Sequence, residues 1–84
     1  MDFSQALNAA KQGQAIQRAG WNGKGMHVYI EDTQVFKIKA GVFKGQSRLY
    51  EAHFVMFTTD KAHQPGWLPS QRDLLANDWQ IVEQ

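Results

Sequence analysis

The stretch that decides the fold runs from Trp67 to Trp79 and reads WLPSQRDLLANDW. Ser70, with Asp73 three residues later, is typical of a capping box, in which side chains accept hydrogen bonds from two otherwise unpaired amides of a first helical turn. The stretch therefore predicts a short helix that begins just after Ser70. We expect Leu74 and Leu75 to dock this helix on the core.

The residues on either side of this helix extend the prediction. Pro69 favours an extended approach segment that carries Trp67 and Leu68, and Asn77–Asp78 can end the helix. Residues 79–82 are apolar and β-branched with one polar break, which predicts a closing strand. Polar side chains thus cluster at a helix N-terminus beside a tryptophan, an arrangement that can seat a small anion or a nucleotide.

Length and composition set the scale of the protein. The chain has 84 residues, which predicts one domain with a thin core whose stability is marginal unless subunits associate. It has no cysteine, which excludes a disulfide scaffold and thiolate metal sites and fits a reducing cytoplasm. No apolar run approaches membrane-spanning length, and the first residues show no signal-peptide pattern, so we expect no membrane association.

The net charge narrows the class of ligand. At +1 it is too balanced for a protein that binds a nucleic-acid polymer through many phosphates. This charge does not exclude a small ligand that carries one or two phosphates. Aromatic residues make up 12% of the chain, enough for some to face a ligand or a second subunit.

The order of elements predicts the fold class. Asp2 and Gln5 favour the start of an amphipathic helix over residues 3–12, and Gly13 is a natural stop. Strands are predicted over residues 14–19, 26–31, 35–39 and 49–58, the last being the longest, with loops over 40–48 and 59–66. Residues 1–84 are thus expected to form a single α+β domain: a mostly antiparallel sheet, an N-terminal helix and a short C-terminal helix before the last strand.

The sequence offers little for catalysis. His27, His53 and His63 lack helical ligand spacing with a carboxylate, although His27 can reach His53 on a neighbouring strand as a metal pair. Solvated or hydrogen-bonded histidines are the more common case. Ser70 has a simpler role as a helix cap, with no Gly-x-Ser-x-Gly context around it. We therefore expect no catalytic residues, no metal, no cofactor and no enzyme activity.

Binding features are better represented. Trp21 precedes a turn of sequence NGKG, residues 22–25, whose successive amides and Lys24 ammonium suit a phosphate. An ordinary hairpin turn with an exposed lysine is the alternative. Trp21 can stack a base beside this turn or cap the core.

Two further positions carry binding chemistry. Arg48 and Tyr50, two residues apart, share one face of their strand and can reach a ligand or a neighbouring subunit. Arg72 lies in the first turn of the predicted helix, where the helix dipole disfavours a cation. A role in binding explains this position, and so does solvent exposure.

Two tryptophan-containing motifs point to a known family. The first is WNGKGM at residues 21–26, after the amphipathic helix. The second is PGWLPSQ at residues 65–71, followed by DLLA at 73–76 and DW at 78–79. Together they resemble the small phage proteins of the second Thoeris anti-defence family, also found in prophages. The family's tight Asp-Gly turn ahead of the second motif is replaced here by residues 60–64, DKAHQ.

The resemblance implies a sponge, which is a protein that sequesters a signal molecule. Such proteins bind cyclic nucleotide immune signals, notably glycocyclic ADP-ribose made by TIR-domain enzymes and in some members cyclic oligonucleotides, without degrading them. They form homo-oligomers, commonly tetramers, with ligand pockets near subunit interfaces. The implied location is the cytoplasm of an infected bacterial cell. The alternative is a protein-interaction module that inhibits a host protein.

Site residues follow as expectations. Trp21 is expected to stack on or wall the base, the NGK residues to contact the pyrophosphate, and Ser70 and Gln71 to contact phosphate or ribose. Asp73 is expected either to accept from a ribose hydroxyl or to serve only the cap. Trp67 and Trp79 are assigned rather to core or subunit packing, although Trp67 stays a candidate. The expected ligand-binding set is Trp21, Asn22, Gly23, Lys24, Arg48, Tyr50, Trp67, Ser70, Gln71 and Asp73.

Overall fold

A computed structural model describes residues 1–83 as two helices and seven strands. The elements are α1 (Phe3–Lys11), β1 (Ala15–Arg18), β2 (His27–Glu31), β3 (Gln34–Lys37), β4 (Ser47–Tyr50), β5 (His53–Phe57), β6 (His63–Pro65), α2 (Gln71–Leu75) and β7 (Trp79–Val82). Five strands form an antiparallel sheet in the order β6-β5-β2-β1-β7, while β3 and β4 form a separate pair. The predicted α+β class, with its N-terminal helix and its short helix before the last strand, is confirmed.

The core lies between α1 and one face of the five-stranded sheet. The predicted capping box is present, because Asp2 accepts from the Gln5 N–H at 2.8 Å and Gln5 accepts from the Asp2 N–H at 3.0 Å. Small side chains let the helix approach the sheet closely, and the buried cluster consists of Ala6, Ala9, Ala10, Ile16, Val28, Met56 and Trp79. We call this side of the sheet the inner face.

The opposite side, which we call the outer face, follows from the strand register. Its residues from β2, β5 and β6 are His27, Tyr29, Glu31, His53, Val55, Phe57, His63 and Pro65. The alternation predicted for β2 is thus confirmed. His27 lies opposite Phe57 and Glu31 opposite His53, so about 13 Å of strand separates the two histidines. They do not form the metal pair that the sequence left open.

One predicted strand is wrong. Residues 49–58 contain parts of β4 and β5, which are strands of different sheets. The strand is interrupted at Glu51–Ala52, where the Ala52 N–H donates to Thr33 Oγ1 at 3.2 Å. No glycine or proline marks this break. The β3–β4 pair with its connecting loop, residues 34–50, we call the arm. Since β4 begins at Ser47, the predicted loop over 40–48 is also too long.

The predicted loop over 59–66 contains β6, which pairs with β5. All three residues of β6 are exposed, so the strand has no burial alternation that a sequence pattern can reveal. Pro65 is tolerated because β6 lies at the edge of the sheet. Within residues 1–83, no helix is long and apolar enough to cross a membrane.

The docking residues predicted for α2 are wrong. Leu74 is 41% exposed and Leu75 78% exposed, whereas Asp73 is only 8% exposed. The Trp79 indole N–H donates to the Asp73 carbonyl oxygen at 2.8 Å. A five-residue helix has little surface of its own, and here polar contacts of Asp73 set its orientation.

Lys61 lies in the turn between β5 and β6 with a φ of 64°, a left-handed conformation that costs a residue with a side chain about 1–2 kcal/mol. Lys61→Gly removes this cost but gives the unfolded chain more freedom, worth about 0.4–1 kcal/mol. We expect the free energy of unfolding, measured by urea denaturation, to rise by about 0.5–1 kcal/mol.

Lys61→Ala is the matched control, because it removes the ammonium and keeps the Cβ. We expect it to leave the free energy of unfolding unchanged. Equal stabilisation by both substitutions would show that the lysine charge, rather than the backbone conformation, is the source of the cost.

Candidate ligand-binding site

Three tryptophans meet beside α2. Trp21 packs edge-on against Trp79 with ring centroids 5.3 Å apart and against Trp67 at 6.2 Å. Trp67 also packs on Phe54 at 5.5 Å. Trp79 is 2% exposed, so its predicted core role is confirmed. Trp21 and Trp67 are half-buried and lie at the border of the core.

The capping box predicted for α2 is present. Ser70 Oγ accepts from the Asp73 N–H at 3.1 Å, and Asp73 Oδ2 accepts from the Ser70 N–H at 2.9 Å. Both predicted site residues are therefore engaged with each other. The anion at this helix start is the chain's own Asp73 carboxylate.

Asp73 also joins α2 to two other segments. Its Oδ1 accepts from Arg18 Nη1 at 3.0 Å and from the Trp21 indole N–H at 3.2 Å. Arg18 donates in addition to Asp78 Oδ1 at 2.8 Å, and Asp78 Oδ2 accepts from the Gly20 N–H at 2.8 Å. We call Arg18, Trp21, Ser70, Asp73 and Asp78 the Asp73 network.

Arg18 is the residue of this network that sequence reasoning missed. It ends β1 opposite Trp79 of β7, and only that strand pairing brings it to Asp73 and Asp78. The sequence carries one indirect signal: Asp73 and Asp78 both precede Trp79, and two carboxylates close together favour a cation as their neighbour.

Charge holds the network together at neutral pH. Desolvation raises the pKa of Asp73, but hydrogen bonds from the Ser70 N–H, from Arg18 and from Trp21 outweigh it, so this pKa is below its ordinary value. The hydrogen bond from Arg18 likewise lowers the pKa of Asp78. The hydrogen bonds to Asp78 and Asp73 raise the pKa of Arg18. All three groups are therefore charged at pH 7.

The turn after Trp21 presents free backbone amides. Within residues 1–83, the N–H groups of the four turn residues, Asn22, Gly23, Lys24 and Gly25, make no hydrogen bond. The Trp21 N–H donates to the Arg18 carbonyl at 3.2 Å, and the Met26 N–H to that of Gly23 at 3.2 Å, which fixes both ends of the turn. Free amides in a turn that also carries the exposed Lys24 suit an anion.

Glycine is required within this turn. A Cβ at Gly23 would lie 2.6 Å from Thr59 Cγ2 and would also overlap Met26 Sδ. Gly25 has a φ of +83°, which L side chains rarely adopt. The backbone of the turn is thus packed closely against the sheet end.

The predicted residues fall into two groups. Gln71 is exposed at the first position of α2, next to Ser70. Arg48 and Tyr50 lie in the arm, with the Arg48 guanidinium 5.7 Å from the Tyr50 ring centroid. The turn precedes β2 and the arm follows it, so about 13 Å of strand lies between the groups.

These features define a small α+β domain with a tryptophan-anchored turn beside a short capped helix. The sequence model of the Thoeris anti-defense 2-like domain matches residues 1–82. The Thoeris anti-defense 2 protein of Bacillus phage SP01 is 35% identical over 86 aligned positions, which cover 98% of this chain and 94% of that protein. The chain belongs to the Thoeris anti-defense 2-like family, as the two motifs predicted, and this membership supports a phage anti-defence role.

The Asp73 network gives stability a defined pH dependence. A carboxylate whose pKa is lowered in the folded state stabilises the fold above its unfolded pKa of about 3.9, and this contribution is lost as the pH falls through the folded value. We expect Asp73→Asn to lower the free energy of unfolding at pH 7 by about 1–3 kcal/mol and to flatten its fall below about pH 4. Urea denaturation at a series of pH values measures both.

Asp60→Asn, in the exposed β5–β6 turn, is the matched control for removal of one carboxylate. We expect the free energy of unfolding of this variant to fall below about pH 4 as steeply as that of the wild type. An Asp73→Asn curve parallel to wild type at every pH would contradict the assignment of acid sensitivity to this network.

Proposed function

We propose that this protein binds a cyclic nucleotide immune signal and sequesters it without cleaving it. The ligand is glycocyclic ADP-ribose made by TIR-domain enzymes or, as a second class, a cyclic oligonucleotide. The observation that carries the proposal is the turn at residues 22–25, which directly follows Trp21 and has four free amides and the exposed Lys24. This combination offers a phosphate seat next to an aromatic wall.

Each side chain has a role in this proposal. The turn amides and Lys24 bind the pyrophosphate, and Trp21 walls the base together with Trp67. Ser70 and Gln71 are assigned to bind phosphate or ribose, Ser70 through its hydroxyl hydrogen, because its N–H and Oγ already engage Asp73. Asp73 acts through the cap and through Trp21, because its carboxylate oxygens already accept from Ser70, Arg18 and the Trp21 indole.

In this proposal the protein forms a homo-oligomer, a tetramer, and a second subunit supplies the rest of the pocket. One small domain has too little surface to enclose a nucleotide, whereas a pocket shared between subunits can bury most of it. A second subunit can also bring Arg48 and Tyr50 to the turn. A ligand of about 35 non-hydrogen atoms at about 0.3 kcal/mol each gives roughly 10 kcal/mol, near nanomolar affinity.

Sequestration requires tight binding and no turnover. We place this activity in the cytoplasm of the infected bacterial cell, where the signal is made. The exposed apolar side chains of the arm favour one other function, docking on a host protein. That alternative predicts capture of a host protein and no response to nucleotides.

A thermal-shift series tests binding. The panel contains ADP-ribose, glycocyclic ADP-ribose isomers, and cyclic di- and trinucleotides. A ligand at one hundred times its Kd adds about 2.7 kcal/mol, which raises the Tm of a domain this size by roughly ten degrees. A flat response across the panel would overturn the proposal, and release of intact ligand from the heated complex separates sequestration from cleavage.

The turn is tested by Lys24→Ala. Loss of a charge-assisted hydrogen bond worth about 1.5–3 kcal/mol weakens binding by roughly ten- to a hundredfold. The Tm of the free protein should not change, since Lys24 is exposed. Titration calorimetry with the panel ligand that gives the largest shift measures the effect.

Lys11→Ala serves as the control, because Lys11 is an exposed lysine in the last turn of α1, outside the site. It should keep wild-type affinity. Equal weakening by both substitutions would assign the effect to overall charge and not to the turn.

A further inference from the structure

The turn between β1 and β2 contains the one asparagine of the chain that is followed by glycine, at Asn22–Gly23. Asparagine is among the chemically labile residues of proteins, because the backbone nitrogen of the next residue can attack its side-chain carbonyl carbon. Glycine has no Cβ, so nothing obstructs that approach. The Asn22 side chain is exposed, which leaves it open to water and hydroxide.

Both reacting groups of this pair are unengaged. Within residues 1–83, the Gly23 N–H makes no hydrogen bond, and the side-chain hydrogen bonds of this segment involve Gly20, Trp21 and His27 rather than Asn22. A backbone N–H that donates to an acceptor has to give up that bond before it can lose its proton. Here no such bond stands in the way of the reaction.

Packing keeps glycine at position 23 and thereby keeps its neighbour reactive. A Cβ at this position would lie 2.6 Å from Thr59 Cγ2 and 2.4 Å from Met26 Sδ. A bulkier residue, which would shield the Asn22 side chain from attack, therefore cannot replace glycine without displacing these neighbours. The close packing of the turn and the lability of Asn22 have the same cause.

We propose that Asn22 deamidates spontaneously in the folded protein and that the product closes the phosphate seat at residues 22–25. The Gly23 nitrogen loses its proton to hydroxide and attacks Asn22 Cγ. The new C–N bond displaces the side-chain nitrogen, which leaves as ammonia, and a succinimide ring remains. Water then opens the ring at either carbonyl and yields aspartate or isoaspartate, with no change in oxidation state.

Either product places a carboxylate in the turn. The net charge of the chain falls by one, from +1 to 0, and isoaspartate also adds a methylene to the backbone, which shifts the amides that follow it. A carboxylate next to a bound phosphate is a like-charge contact, and we expect it to weaken binding by roughly tenfold or more. This consequence, unlike the deamidation itself, rests on the proposed function.

Peptide mapping tests the modification. The purified protein is incubated at mildly alkaline pH, where more of the backbone amide is deprotonated, and is then digested with trypsin and analysed by mass spectrometry. Cleavage after lysine and arginine places the three asparagines in three different peptides, residues 1–11, 19–24 and 73–84. A sample digested at time zero corrects for deamidation during the digestion.

Asn8 and Asn77 are matched internal controls. Both are exposed, but they precede Ala9 and Asp78, whose Cβ atoms hinder attack by the backbone nitrogen. We expect the peptide of residues 19–24 to convert to the acid form while the other two stay unchanged. An Asn22 that persists as long as Asn8 and Asn77 would overturn the proposal.

A variant confirms the position. Asn22→Gln keeps the side-chain amide but lengthens the side chain, so that attack by the Gly23 nitrogen would have to form a larger ring, which closes far more slowly. This variant should lose the acidic shift that incubation produces in isoelectric focusing, whereas Asn77→Gln should keep it. An unchanged shift in Asn22→Gln would place the reaction elsewhere and overturn the proposal.

Asn22→Asp tests the effect on binding, because it is one of the two products. We expect its Kd, measured by titration calorimetry with the panel ligand that gives the largest thermal shift, to rise by roughly tenfold or more. Asn8→Asp makes the same charge change on the exposed side of α1, outside the site, and should keep the wild-type Kd. Wild-type affinity of Asn22→Asp would overturn the closure of the seat.

The two proposals fail in different ways. Freshly purified protein that binds no panel nucleotide, although its Asn22 deamidates on incubation, would overturn the proposed function and support the modification. Tight nucleotide binding by protein whose Asn22 stays intact throughout the incubation would overturn the modification and support the proposed function.

Discussion

The Asp73 carboxylate holds together segments that are far apart in the chain. It accepts hydrogen bonds from Ser70 at the start of α2, from Arg18 at the end of β1 and from the indole of Trp21. A helix of five residues is far below the length that is stable on its own. The helix exists because these contacts, with Trp79 donating to the Asp73 carbonyl, fix it to the sheet.

The same network prepares the candidate site. Asp73 accepts a hydrogen bond from the Trp21 indole, and Trp67 and Trp79 pack edge-on against its ring, so the turn that follows Trp21 starts from a fixed position. Close packing at Gly23 then fixes the path of the backbone. Backbone amides that are held in place before a ligand binds need little ordering on binding, and this lowers the entropic cost of association.

Local features of the fold were predictable from the sequence, and pairings between distant segments were not. Both capping boxes follow from residue types three apart, and β7 and the burial of Trp79 follow from a short apolar run. The break at Glu51–Ala52 carries no glycine or proline, and β6 is exposed throughout, so neither leaves a pattern. Arg18 enters the network only through the β1–β7 register, which a single sequence does not encode locally. Leu74 and Leu75 look like core residues, but the partners of Asp73 turn them to solvent.

The candidate site was predictable to the same extent. The tryptophan-anchored turn and the capped helix were found because each is a local motif, and the structure brings them together at one end of the sheet. Arg48 and Tyr50 were chosen for their chemistry alone, and the structure places them beyond the other end of β2. About 13 Å of strand lies between the two groups. A ligand that contacts both groups would therefore have to span this distance or lie between two copies of the chain.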